Sequence, residues 1–296
     1  MSFVYVGTDG FAAAVLRGLV GLGRTPSLVI SRPDAPKGRG RQLASPPVIA
    51  AANELAIRSL QPEDIGAPEV DAAIDAVDPS CLALCAYGAI IREPLLSKRP
   101  ILNLHPSLLP RWRGATPVER SLMEGDAETG VSIIRLVEEL DAGPILAQES
   151  IGITESDDFG TLSERLITLG AEMLDNAIEG AEADALDFTP QAVEGVTYAE
   201  RFEAADRFLD QADSVSVAER KVRALTPHVG ARLSIPDSDP IGVREVSISE
   251  ATVDAGAVDY STGEMLVGFA DGTLRIERLV PPGGREMSAT DWLRGR

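Results

Sequence analysis

Residues 3–6 form a short apolar run, residues 12–22 place apolar side chains at helical spacing, and residues 27–30 are apolar again. A strand, a crossover helix and a second strand in that order pair in parallel. A parallel sheet is then covered by helices on its faces. The opening of the chain therefore commits it to an α/β architecture. The turn after the first run, Gly7-Thr8-Asp9-Gly10-Phe11, is not G-x-G-x-x-G, so a dinucleotide fingerprint is absent and its glycines serve a tight turn.

Two later strands carry the chemistry. Residues 81–86 are apolar and end in Tyr87-Gly88, and Ile101–His105 ends at Pro106, which cannot continue the pairing. In open parallel sheets ligands bind beyond the carboxyl ends of the strands, where both endings would lie. Residues i and i+2 of a strand share a face, so Asn103 and His105 point the same way as the strand runs out. An amide beside an imidazole offers hydrogen-bond donors and a proton carrier in one place. The loop that follows, Pro106-Ser-Leu-Leu-Pro110-Arg-Trp-Arg-Gly114, has the composition of a rigid loop around a ligand. A lone histidine is usually a satisfied core or surface residue; the amide, the strand end and the arginine loop favour a site here. Tyr87 reads equally well as a packing aromatic.

Residues 130–136 and 145–153 are strand-like and flank a turn-rich joint, Glu138-Glu-Leu-Asp141-Ala-Gly143-Pro144. Most such aspartates only form turns. Folded beside His105, Asp141 would orient the imidazole and stabilise its charge, as triad logic requires.

Residues 31–47 contain four prolines and two glycines and read as a long functional loop without regular structure. Helical spacing is expected at 48–55, 69–77, 115–123, 157–179 and 215–225, and residues 182–198 read as a polar linker. Beyond them, short alternating runs separated by Asp254-Ala-Gly256, Ser261-Thr-Gly263 and Asp271-Gly272 give the pattern of a small β-barrel or sandwich. A terminal helix at 288–294 would have Ser288 as N-cap and Asp291 at N3.

The net charge of −19 argues against nucleic acid, but its distribution does not. Residues 32–41 carry +3 and residues 92–120 carry +4, leaving −26 elsewhere. Two basic islands in an acidic chain suggest a localised anionic ligand. Cys81 and Cys85 are the only cysteines and His105 and His228 the only histidines, which leaves little material for a metal site and suits a reducing cytoplasm. Neither a membrane span nor a secretory signal is evident.

Asn103-x-His105-x-Ser107-Leu-Leu-Pro110-x-Trp-Arg-Gly114-x-x-Pro117, followed by Asp141-x-Gly143-Pro144, resembles the folate-dependent formyltransferases. The Arg32-Pro-Asp-x-Pro-x-Gly-Arg39-Gly40 loop, Thr197-Tyr-Ala199, Arg223-Ala-Leu-x-Pro227 and Pro282-Gly-Gly-x-x-Met-Ser288-Ala-x-Asp291 are similar to the branch that acts on methionyl initiator tRNA. The resemblance implies a Rossmann-like catalytic domain over residues 1–186, a linker at 187–204 and an OB-like barrel over 205–296 that helps to hold tRNA. It implies formyl transfer from the co-substrate 10-formyltetrahydrofolate to the α-amine of methionine on initiator tRNA, by a cytoplasmic monomer that needs no metal. It assigns catalysis to Asn103, His105 and Asp141, the folate border to Tyr87, Gly88, Ser107, Leu108, Leu109 and Pro110, and tRNA contact to Arg39 with Lys37 and Arg41.

The chain departs from the family pattern at Glu139 and Ala142, at His228-Val229, and in the −4 balance of residues 201–296. Alternative readings are a formyltransferase acting on a sugar-nucleotide or other small amine, a formyltetrahydrofolate hydrolase, and a non-catalytic nucleic-acid binder; the arginine loop, the second domain and the Asn/His/Asp set weigh against them.

Overall fold

A computed structural model describes residues 2–37, 42–236 and 238–295. The chain forms two compact units: Met1–Gly114, Gly130–Ile151 and Ser163–Tyr198 in one, Ala115–Thr129, Gly152–Leu162 and Ala199–Arg296 in the other.

The opening is the expected β-α-β, with β1 Val4–Gly7, α1 Gly10–Gly21 and β2 Leu28–Ile30. Asp9 caps α1 by accepting the Ala12 amide at 2.9 Å. Gly7 is required by the close approach of β1 to its neighbours, since a Cβ there would lie 2.8 Å from the Cys85 carbonyl oxygen and 2.9 Å from the Ala12 methyl. Residues 31–47 hold more structure than their composition suggests. The short strands β3 Ala35–Lys37 and β4 Gln42–Ala44 pair antiparallel, Lys37 opposite Gln42, before α2 Pro47–Glu54. Pro36 is tolerated because this two-stranded ribbon is all edge. Asp34 clamps its base, accepting Gln61 Nε2 at 2.7 Å and Ser45 Oγ at 2.9 Å. Those bonds, the glutamine's first, hold the Asp34 carboxyl below its ordinary value.

The chain continues through β5 Ser59–Leu60, α3 Pro68–Asp75, β6 Leu82–Cys85, α4 Leu95–Lys98 and β7 Ile101–His105. After the two-residue β8 Arg113–Gly114 and α5 Pro117–Glu124 come β9 Glu128–Arg135, β10 Ile145–Gly152 and the long α6 Phe159–Glu182. Seven strands form one sheet in the order β10-β9-β7-β6-β1-β2-β5. β7, β6, β1, β2 and β5 run parallel and β9 joins β7 antiparallel. The chain winds outward from β1 to β2 and β5, then returns to place β6 on the other side of β1. The ends of β1 and β6 therefore flank a topological switch point, where α/β sheets bind ligands, and the end of β7 lies next to that of β6. One face is filled by a cluster that includes Val4, Val6, Leu28, Ile30, Leu82 and Ile101.

After β11 Tyr198–Ala199 the second unit adds α7 Val215–Leu225, β12 Ala231–Leu233, β13 Ile241–Ser249, β14 Val258–Asp259, β15 Met265–Phe269, β16 Gly272–Val280, β17 Met287–Ser288 and α8 Ala289–Arg294. Its six strands pair antiparallel, in the order β12-β13-β16-β15-β14 with β17 on β16, and a bulge near Glu245 bends β13. Val222, Leu225, Leu233, Val243, Phe269 and Leu274 are among its buried core. Ser288 caps α8 through the Asp291 amide at 3.1 Å, as its sequence suggests. His228, the second histidine, lies 3.0 Å from Glu119 Oε1 and stacks on Phe159 with ring centroids 3.6 Å apart. At this point of departure from the family pattern the chain thus holds a packed, paired histidine.

Candidate active site

β7 delivers Asn103 and His105 to the sheet end beside the switch point with 7% and 4% of their surfaces exposed. The antiparallel partner β9 sets Ser132 opposite His105 and Ile134 opposite Asn103. The β9–β10 joint then returns Asp141 to the same place. His105 Nδ1 lies 3.6 Å from Asp141 Oδ2, and Asn103 Nδ2 donates to Asp141 Oδ1 at 3.4 Å. Asp141 Oδ2 also accepts the Gly114 amide at 2.8 Å. The other imidazole nitrogen, Nε2, is 2.8 Å from the Trp112 carbonyl. A carbonyl only accepts, so Nε2 carries hydrogen and the ring plane is fixed. The three residues separated by sequence thus meet, and Nδ1 is the nitrogen turned toward the carboxylate.

The backbone bends sharply around this cluster. Ala86, Trp112 and Asp141 adopt φ of 44°, 64° and 47°, a region that costs L-residues energy and persists where the surroundings hold it. Gly143 permits the Asp141 joint, because a Cβ there would run into the Arg135 carbonyl oxygen.

The proposed folate border divides by side chain. Ser107 is fully buried and its hydroxyl donates to the Arg111 carbonyl at 2.6 Å, so it holds the loop rather than facing a ligand. Leu109 is anchored at both ends of its peptide unit, its amide to Ser132 Oγ at 3.1 Å and its carbonyl to Gln148 Nε2 at 2.9 Å. Leu108 and Pro110 are half-buried. Tyr87 packs into the sheet core, which raises its phenol above its ordinary value by desolvation. What reaches the strand end there is backbone: the Tyr87 carbonyl accepts Thr8 Oγ1 at 2.8 Å and the Gly88 carbonyl accepts Arg32 Nη1 at 3.1 Å. Lys37 ends β3, while Arg39 and Arg41 lie outside the described residues.

The second basic island changes meaning once folded. Lys98 contacts Asp71 at 2.8 Å and Asp75 at 2.6 Å, and Arg99 pairs with Asp75. Arg113 is buried against Gln191, and Arg120 lies over the Phe202 ring at 4.7 Å. Much of that charge is spent on internal contacts that a count along the chain cannot see. Gln191 itself, with Ser132 and Gln148, carries no periodic or motif signal in the sequence, and Thr197 carries only that of its Thr-Tyr-Ala triplet. A cleft of about 480 Å³, lined by Arg113, Glu139, Ala142, Pro144, Gln191 and Val193 among others, adjoins the Asp141 joint, but the three clustered residues do not line it.

Among the described residues no group of three or more His, Cys, Asp or Glu could hold a metal, and no helix is long and apolar enough to cross a membrane.

The comparisons with known proteins bear on the family and the fold. A formyl transferase family model matches residues 7–178 and a formyl transferase C-terminal domain model matches 201–296. A methionyl-tRNA formyltransferase of Halorhodospira halophila is 39% identical, over 99% of this chain and 96% of its own. One of Methylococcus capsulatus is 37% identical, over the same shares. An N-formyltransferase of Helicobacter canadensis, solved with folinic acid and dTDP-3-aminofucose, superposes with a TM-score of 0.68 at 14% identity, over 97% of this chain and 100% of its own. HypX of Aquifex aeolicus, solved with tetrahydrofolic acid, gives 0.67 at 17% identity, over 99% of this chain and 47% of its own. Those two likenesses speak for the fold; the family models and the full-length relatives speak for kinship, and by them the chain belongs with the methionyl-tRNA formyltransferases in the formyl transferase family.

Proposed function

We propose that the chain transfers the formyl group of 10-formyltetrahydrofolate to the α-amino group of methionine on initiator tRNA. The observation that carries this reading is the convergence of Asn103, His105 and Asp141 beyond β7, in a chain that matches such enzymes end to end. In this reading residues 1–186 are catalytic, residues 205–296 help to hold tRNA, and the protein acts as a monomer in the cytoplasm.

The amine nitrogen attacks the formyl carbon and the carbonyl pair moves to oxygen. The tetrahedral intermediate collapses by breaking the bond to the folate N10. One proton leaves the amine and one arrives at N10. With Nε2–H held by Trp112, Nδ1, on the Asp141 side of the ring, is left as the position that exchanges a proton. Nδ1 takes the amine proton, sits as Nδ1–H against the Asp141 carboxylate, and returns the proton to the departing nitrogen. The Asn103 amide turns from Asp141 to the developing oxyanion, a donor typically worth about 3 kcal/mol. Contacts of 3.4 and 3.6 Å are long for direct hydrogen bonds, and catalytic bonds commonly tighten only around substrate.

The folate would lie along Leu108, Leu109 and Pro110 and the Tyr87-Gly88 backbone, with Ser107 stiffening the loop. Lys37, Arg39 and Arg41 would meet tRNA phosphates. Formyl transfer from 10-formyltetrahydrofolate to charged initiator tRNA tests the proposal directly. Formyl-methionyl-tRNA formed by the wild type and lost in folded His105→Ala supports it. Folate hydrolysis alone, or formylation of small amines only, overturns it.

A further inference from the structure

The two ring partners of His105 are the Trp112 carbonyl and the Asp141 carboxylate, and both belong to residues with left-handed backbone. Such residues keep their geometry only where neighbours hold them. One stretch of chain holds both. Its start is pinned by Thr189, whose amide and carbonyl exchange bonds with Ile145 at 2.8 and 2.7 Å. Two residues on, Gln191 Nε2 donates to the Asp141 carbonyl at 2.7 Å and the Gly143 carbonyl at 2.8 Å. Its Oε1 accepts Arg113 Nη2 at 2.8 Å and Nε at 3.2 Å. A primary amide has two donors and an acceptor, and here every one is in use. Farther along, Thr197 Oγ1 accepts the Trp112 amide at 2.8 Å, and the Thr197 carbonyl accepts the Arg113 amide at 2.9 Å.

We infer that residues 189–197 are a strap that positions the imidazole, with Gln191 setting Asp141 and Thr197 setting Trp112. Neither touches the reacting atoms, so both are positioning residues. The strap ties the fixed direction of Nε2 to the fixed place of the carboxylate through one continuous backbone, so that the distance between His105 partners does not drift. A glutamine is suited to the task because it bridges two carbonyls and a guanidinium at once. Glutamate would repel both carbonyls, and leucine would leave them unpaired in a half-buried place.

The inference rests on the proposed roles of Asn103, His105 and Asp141, and its test separates the two. Wild type, His105→Ala, Gln191→Leu, Thr197→Val and Thr197→Ser are compared by kcat, by KM for folate, and by the nitrogen chemical shifts of the His105 ring across pH. For Gln191→Leu and Thr197→Val the expected result is a kcat fall of about 100-fold, the scale of a 1 Å misplacement, with little change in folate KM. The His105 ring shifts should move in both, and Thr197→Ser should restore them with kcat. Should Gln191→Leu not fold, the Thr197→Val and Thr197→Ser pair decides. Wild-type kcat and ring shifts in folded Gln191→Leu or Thr197→Val would overturn the strap while leaving the function intact. An unaffected His105→Ala would instead overturn the site itself.

Discussion

On the proposed reading, the Asn103 side-chain amide, which bonds Asp141 in the free protein, is the donor offered to the developing negative charge. Asn103→Ala should lower kcat by about 10²- to 10³-fold while folate KM stays within a few-fold, measured by steady-state formylation. An equal rise in KM and no change in kcat would assign the amide to substrate binding instead. Gly143 makes the complementary case for backbone. Gly143→Ala adds one methyl against the Arg135 carbonyl, so the joint carrying Asp141 must shift. The expected loss is about 100-fold in rate, read beside a circular-dichroism melt that shows the fold retained. Both residues stand in the sequence, but their meaning differs in legibility. Asn103 could be read from its spacing to His105, whereas the steric need at Gly143 exists only after β9 and the joint have folded together.

Among the elements, the helices were the most legible. The spacing at 215–225 matches α7 at both ends, and the expected spans near 48, 69 and 157 agree with α2, α3 and α6 to within a few residues. Amphipathic spacing and caps are local, so the sequence carries them. Ser288→Ala removes the α8 cap and should cost about 1 kcal/mol in a urea titration. Unchanged stability would show that α8 is held by packing alone. The pairing of β3 with β4 is illegible locally, because the prolines and glycines of residues 31–47 read as an irregular loop. At the base of the pair Asp34 bonds to Ser45 and Gln61, contacts that no local pattern predicts. The polar stretch after α6 likewise reads as a linker. Up to Thr197 it bonds instead to the first unit, because its amides and carbonyls find partners on the Asp141 and Trp112 loops.

For the whole molecule the deciding quantity is where charge and burial lie. With −19 overall, tRNA affinity must come from local cations, and those of the second island are largely spent on internal contacts. If Lys37, Arg39 and Arg41 supply three phosphate contacts, log KM for tRNA should rise with log salt at a slope of about 2 to 3. Arg39→Ala should lower that slope by about 1 and leave folate KM unchanged; an unaltered slope would move tRNA contact elsewhere. Burial sets a second, alkaline limit. Desolvation pushes the Cys81 thiol up from 9.0 to about 12 in the fold. A raised value means that the unfolded chain gives up its proton first. The associated stability is present below pH 9, the ordinary thiol value, and is lost progressively toward about 12. Denaturant midpoints should fall across that window, and Cys81→Ala should lessen the fall, the remainder belonging to Cys85, whose thiol burial also raises. A midpoint independent of pH there would rule out this source.

The sequence by itself determined the α/β class, most helices, the side of β7 on which Asn103 and His105 stand, and the family pattern. Those are consequences of periodicity and fixed local spacing, which a chain carries before it folds. Only the tertiary structure decided which nitrogen of His105 faces Asp141, by placing the Trp112 carbonyl against Nε2. It also decided that Asp141 closes on Asn103 and His105, that Tyr87 packs inward, and that Gln191 and Thr197 hold the cluster. Each of those depends on groups distant in sequence finding hydrogen-bond partners away from water, and that pairing is settled only when the sheet, the joint and the strap fold together.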